Sequence, residues 1–297
     1  MGELAAFITA IFWTFTSIFF SSASQQLGSV KVNRLRLVFA VVFLMIAHVI
    51  LRGGPVPVDG SAMRWLWMGL SGIVGLVFGD ACLLQAYVMV GTRLGTLMMA
   101  TAPVISTLLA WVFLGERLTA GEILGIGITV LGIMVVVLER GGRKSHITPR
   151  QYALGLLCGL GGALGQAGGL ILAKLGLEGG YPSISGVVMR MTVAAATMWL
   201  LALAGRQVRP TLQTAWNNKP ALRFIFFGAF FGPFLGVWLS LVSVQATYVG
   251  IASTLMALTP ILILPVLRIW FQEHITWRAV LGTVVALAGV AVLLLQG

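Results

Sequence analysis

The stretch PVISTLLAWVFLGERLT, Pro103 to Thr119, sets a proline inside an apolar run and a glutamate, Glu116, thirteen residues later where the run gives out. It returns 157 positions on as PILILPVLRIWFQEHIT, Pro260 to Thr276, with Glu273 at the same separation and a threonine again at the end. Laying Gly91 to Val135 on Tyr248 to Val292 at that offset gives identical residues at Met99, Ala100, Pro103, Glu116, Thr119, Gly125, Gly132 and Val135. A fainter copy, 154 positions apart, pairs RLVFA from Arg36 with RMTVA from Arg190. The chain therefore divides into residues 1–140 and 152–297, joined by a basic connector at 141–151.

What the two halves are follows from their solvent. With 59% hydrophobic and 9% charged residues there is too little polar surface to coat a water-soluble globule. A helix needs about 20 apolar residues to cross a bilayer. Ten such stretches are expected, near 4–21, 33–51, 65–89, 94–113, 119–138, 152–173, 182–204, 221–243, 249–271 and 276–295. Continuous runs such as LGIGITVLGIMVVVL lack the alternation of barrel strands, which excludes a transmembrane β-barrel. The first span carries Glu3 and no leading Lys or Arg, the wrong charge for a secretory signal. The expected fold is an all-α membrane protein. The net charge of +11 falls mostly in the breaks between spans, where orientation and lipid headgroups account for it without nucleic acid.

Five spans per half force the second half into the membrane upside down, which makes the ten helices two inverted five-helix repeats. Inverted repeats are a transporter architecture. The mid-span proline and terminal glutamate, followed by Gly125 and Gly132 or by Gly282 and Gly289, resemble the EamA domain of the drug/metabolite transporter superfamily. LGERLT is the most specific part of the likeness, and the second copy departs from it to FQEHIT. The resemblance implies a ten-helix carrier that moves a small metabolite between its halves by alternating access. Members carry amino acids, amines, nucleotide sugars, sugar phosphates or drugs, so it does not name the cargo.

The acids point to a site. Seven of the eight, Glu3, Asp59, Glu116, Glu122, Glu139, Glu178 and Glu273, fall at span ends or in breaks; Asp80 alone lies mid-span. A carboxylate inside an apolar helix usually faces a cavity, pairs with a cation or binds protons. Arg190, deep in the seventh span, and Arg36, about a turn into the second and ranked behind it, are the expected partners. A static ion pair between the halves and a substrate or proton site both fit these residues. Trp13 and Gln166, on the leading helices of the two halves, with Gln85, Tyr87, Trp238 and Gln245, complete the candidate substrate-binding or proton-coupling set. Pro103 and Pro260 should kink their helices and free carbonyls toward a cavity. Glu116 and Glu273 read as structural turn residues that complement the helices following them, with Thr119 and Thr276 as caps. The four-residue glycine spacings at 75 and 79, 121 and 125, 155 and 159, and 161, 165 and 169 read as close helix contacts.

No cofactor or metal is expected. His48 and His146 have no second histidine at ligand spacing, Cys82 and Cys158 sit inside spans as small hydrophobes, and no G-x-x-x-x-G-K-[ST] loop is present to bind ATP. A membrane enzyme acting on lipid would need clustered His, Asp or Cys, which this sequence disperses. A small-molecule substrate and the lipid bilayer are the expected partners, and the location is a bacterial inner membrane. The oligomeric state stays open, with a monomer sufficient. Two orientations compete: with both termini inside, four Lys and Arg fall in cytoplasmic breaks against fourteen outside, so the charge count favours termini outside while the resemblance favours termini inside.

Overall fold

The computed structural model describes residues 1–139, 148–262 and 276–296, which form helices and turns with no strand among them. Glu273, His146 and most of the basic connector lie outside the described residues. In chain order the helices are α1 (Gly2–Leu27), α2 (Ser29–Arg52), α3 (Ala62–Gly91), α4 (92–99), α5 (Ala102–Leu114), α6 (Ala120–Glu139), α7 (Pro149–Gly176), α8 (Ser183–Ala204), α9 (Val208–Asn217), α10 (Lys219–Ala246), α11 (Val249–Leu262) and α12 (Trp277–Gln296). Among the described residues α1, α2, α3, α7, α8 and α10 are long and apolar enough to cross a membrane, and α5, α6, α11 and α12 contribute shorter apolar helices.

Polar side chains set the helix starts. Thr119 accepts a hydrogen bond from the Glu122 amide while Glu122 accepts from the Thr119 amide (2.6 Å), which opens α6 with a capping box. Thr148 and Gln151 do the same for α7. That box, with Pro149 behind it, starts the helix three residues before the expected 152. The Asn218 carbonyl oxygen accepts from the Ala221 amide and opens α10. Helix α9 was expected only as part of a polar break; it forms because it is amphipathic, with Thr211 and Ala215 buried and Leu212 and Trp216 exposed. Arg34 and Lys31 of α2 tie it down by donating to Thr211 and Thr214.

Two departures from straight helices matter for the site. The expected fourth span is broken at residues 100 and 101, and Pro103 occupies the first turn of α5 instead of a mid-helix kink. Likewise α11 loosens at Ala257 and Leu258, just ahead of Pro260. A proline has no amide hydrogen to give, so the first turn of a new helical segment is where it does least damage. The third span of each half also widens into a π-helical segment, Gly72–Gly79 in α3 and Phe230–Gly236 in α10. The two segments end 157 residues apart, at the repeat offset. Such segments are common where a helix re-aims side chains at a functional site.

Glycines allow the closest crossings. Helix α3 lies on α7 with Gly79 against Gly165 and Gly75 against Gly169. Helix α6 lies on α12 so that Gly125 meets Gly289 and Gly132 meets Gly282, while Thr129 donates to the Ala286 carbonyl. Residue numbers rise along one of these two helices as they fall along the other, so they run antiparallel. Between the halves, α3 packs on α7 and α8, and α10 packs on α1 and α2.

Candidate functional site

Asp80 stands where the π-helical segment of α3 returns to α-helix. Its carboxylate is bonded by the Arg36 guanidinium, not by Arg190. Helix α2 begins at Ser29, earlier than expected, so Arg36 is two turns in, deep enough to reach α3. Arg36 is fixed from other sides too. Its Nε donates to Asn33 Oδ1 (2.7 Å), Asn33 Nδ2 donates to the Leu76 carbonyl (3.1 Å), and the guanidinium lies over the Phe20 ring at 5.4 Å. Both helices belong to the first half, so this pair does not tie the halves together. The Asp80 side chain keeps 22% of its surface exposed against 5% for Arg36, so the acid is the member of the pair that faces open space.

That space is a cavity of about 140 Å³ bounded by α1, α2, α3, α7, α8, α10 and α11 and by the junction of α4 with α5. An apolar cavity of about 150 Å³ suffices to hold benzene, so the volume suits a small organic molecule. Its walls bring together Trp13, Arg36, Asp80, Tyr87, Gln166 and Arg190, all of them candidates from sequence. Pro260 lies on the wall, whereas Pro103 leaves that place to its neighbours Ala100 and Ala102. The lining on α1 runs from Trp13 through Thr16 and Ser17 to Phe20, toward the end of that helix that leads to Gly28. Trp238 lies off the cavity, donating from Nε1 to Ser183 Oγ and stacked on Phe234. Gln85 accepts from Ser29 Oγ, and Gln245 donates to the Tyr181 carbonyl (2.8 Å). These three complete backbone and helix-end contacts elsewhere. Ser17, Ser240, Ser253 and Thr259 were missed; mid-span hydroxyls were the available signal.

Arg190 is 2% exposed and reaches the cavity wall from α8. Among the described residues its side chain makes no hydrogen bond or ion pair, and its Nε is buried without a partner. Its head occupies a notch between α3 and α7 that exists because both flanking residues are glycine: a Cβ on Gly169 would stand 3.1 Å from Nη2, and one on Gly75 closer still. Placing an arginine at the centre of a transmembrane helix costs about 3 kcal/mol even on the lenient insertion scales.

At the opposite end from Gly28 charged side chains cross between helices. Gly115, in the left-handed conformation (φ +66°), ends α5 and turns Glu116 inward. Expected to complement the helix that follows it, Glu116 instead crosses to the other half. One oxygen accepts from Lys174 Nζ (2.6 Å) and the other from the Val249 amide (2.9 Å) at the start of α11. A carboxylate there satisfies an orphan donor and the positive end of the helix dipole. Lys174 also donates to the Thr247 carbonyl (2.8 Å), so one buried ion pair joins α5, α7 and α11. In the nearby loop before α8, Tyr181 donates to Asp59 (3.2 Å) beneath the Arg64 guanidinium, and burial with the Asp59 charge raises its pKa. His48 lies between the Gly54 carbonyl and Ser185 Oγ, and no group of three metal-ligating side chains occurs among the described residues.

The EamA-like transporter family model matches this sequence twice, over residues 1–138 and 153–295. The chain belongs to the EamA-like transporter family. A curated relative, a probable terminal-alkyne amino-acid exporter of Streptantibioticus cattleyicolor, is 37% identical over 114 residues, 38% of this chain. The match spans 36% of that relative's own length. One crystal structure superposes on 99% of the EamA-like chain and 96% of its own at a TM-score of 0.75 with 17% identity, which establishes a shared fold. The family and the long apolar helices make the chain an integral membrane protein.

Proposed function

We propose that this EamA-like protein is a secondary exporter of a small metabolite in a bacterial inner membrane. On this reading ten spans form two inverted halves, 1–140 and 152–297, and the cavity between them is exposed to either side in turn. Asp80 takes up a proton or contacts the substrate as it does so. The observation that carries the proposal is the buried Arg36–Asp80 pair on the wall of a cavity lined from both halves. The antiparallel, exchanged contacts of Gly125 with Gly289 and Gly132 with Gly282 support inversion, because equivalent residues trade places as they would about a twofold axis. An amino-acid-sized cargo fits the cavity and agrees with the name of the partial relative. The rival cargo is a sugar phosphate or nucleotide sugar, for which Arg36 and Arg190 would supply anion contacts. On this reading the ion pair of Glu116 with Lys174, which joins helices of both halves, would hold one end closed in one of the two access states.

The test is flux of labelled amino acids into proteoliposomes under an imposed pH gradient, with Asp80→Asn alongside. The asparagine oxygen still accepts from Arg36, so the variant should fold and lose transport. A variant as active as the wild type would remove Asp80 from the mechanism, and no flux of any compound would sink the proposal.

A further inference from the structure

We propose that Arg190 is the receptor for a carboxylate on the transported molecule, so that the cargo is an organic acid or an amino acid carrying its free acid group. The inference rests on the transport reading above and narrows it to a chemical class. Its basis is the charge arithmetic of the cavity together with the geometry of one side chain. The wall carries two guanidiniums, Arg36 and Arg190, and one carboxylate, Asp80. Asp80 is bonded by Arg36, and Arg36 is further held by Asn33 and Phe20, so this pair is neutral as a unit while its acid still faces the cavity. Arg190 is left without a bonded counter-ion among the described residues, 2% exposed, with Nε orphaned and the guanidinium on the cavity wall, and the Asp80 charge reaches it only through space.

A structural role for Arg190 would show in its partners, since buried charges that stabilise a fold are paired and hydrogen-bonded. The protein instead keeps a fork of donors without bonded partners at the edge of the cavity. It does so at the α3–α7 crossing, where Gly75 and Gly169 supply the room for the head group. A planar guanidinium with parallel N–H groups matches a carboxylate bidentately, which an ammonium cannot do. Trp13 and Tyr87 leave apolar and aromatic surface for the rest of the molecule.

The experiment is ligand-induced thermal stabilisation of the purified full-length protein. The probes are leucine, threonine and propargylglycine, each as the free acid, the methyl ester and the decarboxylated amine. The expected result is that acids raise the unfolding temperature while esters and amines need concentrations about tenfold higher or more for the same shift. This comparison on the wild type does not depend on any variant folding. Arg190→Gln should bring the acids down to the level of the esters and leave the esters unchanged. Arg190→Lys should recover the acid preference only in part, because it keeps the charge and loses the fork. Equal binding of acids and esters overturns the carboxylate assignment while leaving a transporter intact, as does an Arg190→Gln variant that weakens both forms alike. If no probe binds in any form while proteoliposomes still move an uncharged or cationic compound, the assignment is wrong and the transport reading stands. Absence of both binding and flux takes down the transport reading itself.

Discussion

The Glu116–Lys174 ion pair gives the proposed alternating access a measurable consequence. Glu116→Gln keeps the size of the side chain and an oxygen for the Val249 amide but removes the charge that holds Lys174. Breaking one side of a fully buried pair costs about 3–5 kcal/mol. Lys174 retains 24% of its side-chain surface and its bond to the Thr247 carbonyl, so about 2 kcal/mol is the appropriate figure. If the contact exists only while this end is closed, the whole loss falls on the closed state, and the population open at this end rises roughly 30-fold. The assay is alkylation of a cysteine at position 253, one turn into α11 on the cavity wall, in a background of Cys82→Ser and Cys158→Ser. A membrane-impermeant maleimide added on the Glu116 side should react roughly 30-fold faster with the Glu116→Gln variant, since a small open fraction limits the rate. An unchanged labelling rate in a protein that unfolds at lower temperature would refute the reasoning. The pair would then be fold-stabilising in both states and no part of a gate.

Two further outcomes test the packing and the loop. Gly132→Ala should destabilise by about 1–3 kcal/mol because its Cβ would stand 2.6 Å from the Gly282 carbonyl, whereas Gly127→Ala, with nothing within 4 Å, should be neutral or stabilise by up to about 1 kcal/mol; thermal unfolding of the two side by side decides it. Tyr181 is expected to make the protein lose stability at high pH. Its folded pKa is raised above the unfolded value near 10, so the stabilisation is present below about pH 10 and disappears as pH climbs toward the folded value. Tyr181→Phe should flatten that part of the stability profile, and an unaltered slope would show that the phenol does not titrate as described.

Much of the scaffold could be read before any coordinates, because its causes are local in sequence. Composition dictates membrane helices, the family model matches twice as the shared offset leads one to expect, and the one mid-span acid lies on a cavity wall. The pairing at that site could not be read. Which arginine reaches Asp80 depends on where α2 starts and how the π-helical segment rotates α3, and the sequence signals neither beyond a scatter of glycines at 72, 75 and 79. SVKVNRLR looks like a polar break, yet Ser29, Lys31 and Arg34 all find partners on other helices, so the helix continues through it. Glu116 misled for a similar reason: its chain neighbours suggest the next helix, and its partners lie 58 and 133 residues away. Trp238 and Gln245 looked like wall residues because one is a broad aromatic and the other a polar group in or beside the eighth span. Only the packing shows them turned toward Ser183 and the Tyr181 carbonyl.

Duplication also explains why this cavity should carry net charge. On the repeat reading Arg36 and Arg190 are counterparts, but the positions answering to Asp80 are apolar, Phe234 at the offset of the arginines and Val237 at the main offset. Two copies of the cation and one of the anion leave a surplus of one positive charge, and the geometry places that surplus on Arg190 because Arg36 already has the acid. Removing charges in combination should follow the same arithmetic. Arg36→Gln frees Asp80 to compete for Arg190, so the preference for acids over esters should collapse although Arg190 is untouched. Adding Asp80→Asn to it restores a cavity with one guanidinium and no carboxylate, and the acid preference should return even though transport does not. A double variant no better than Arg36→Gln alone would mean that Arg36 shapes the site by packing on Phe20 and Asn33 instead of by holding the acid away from its counterpart.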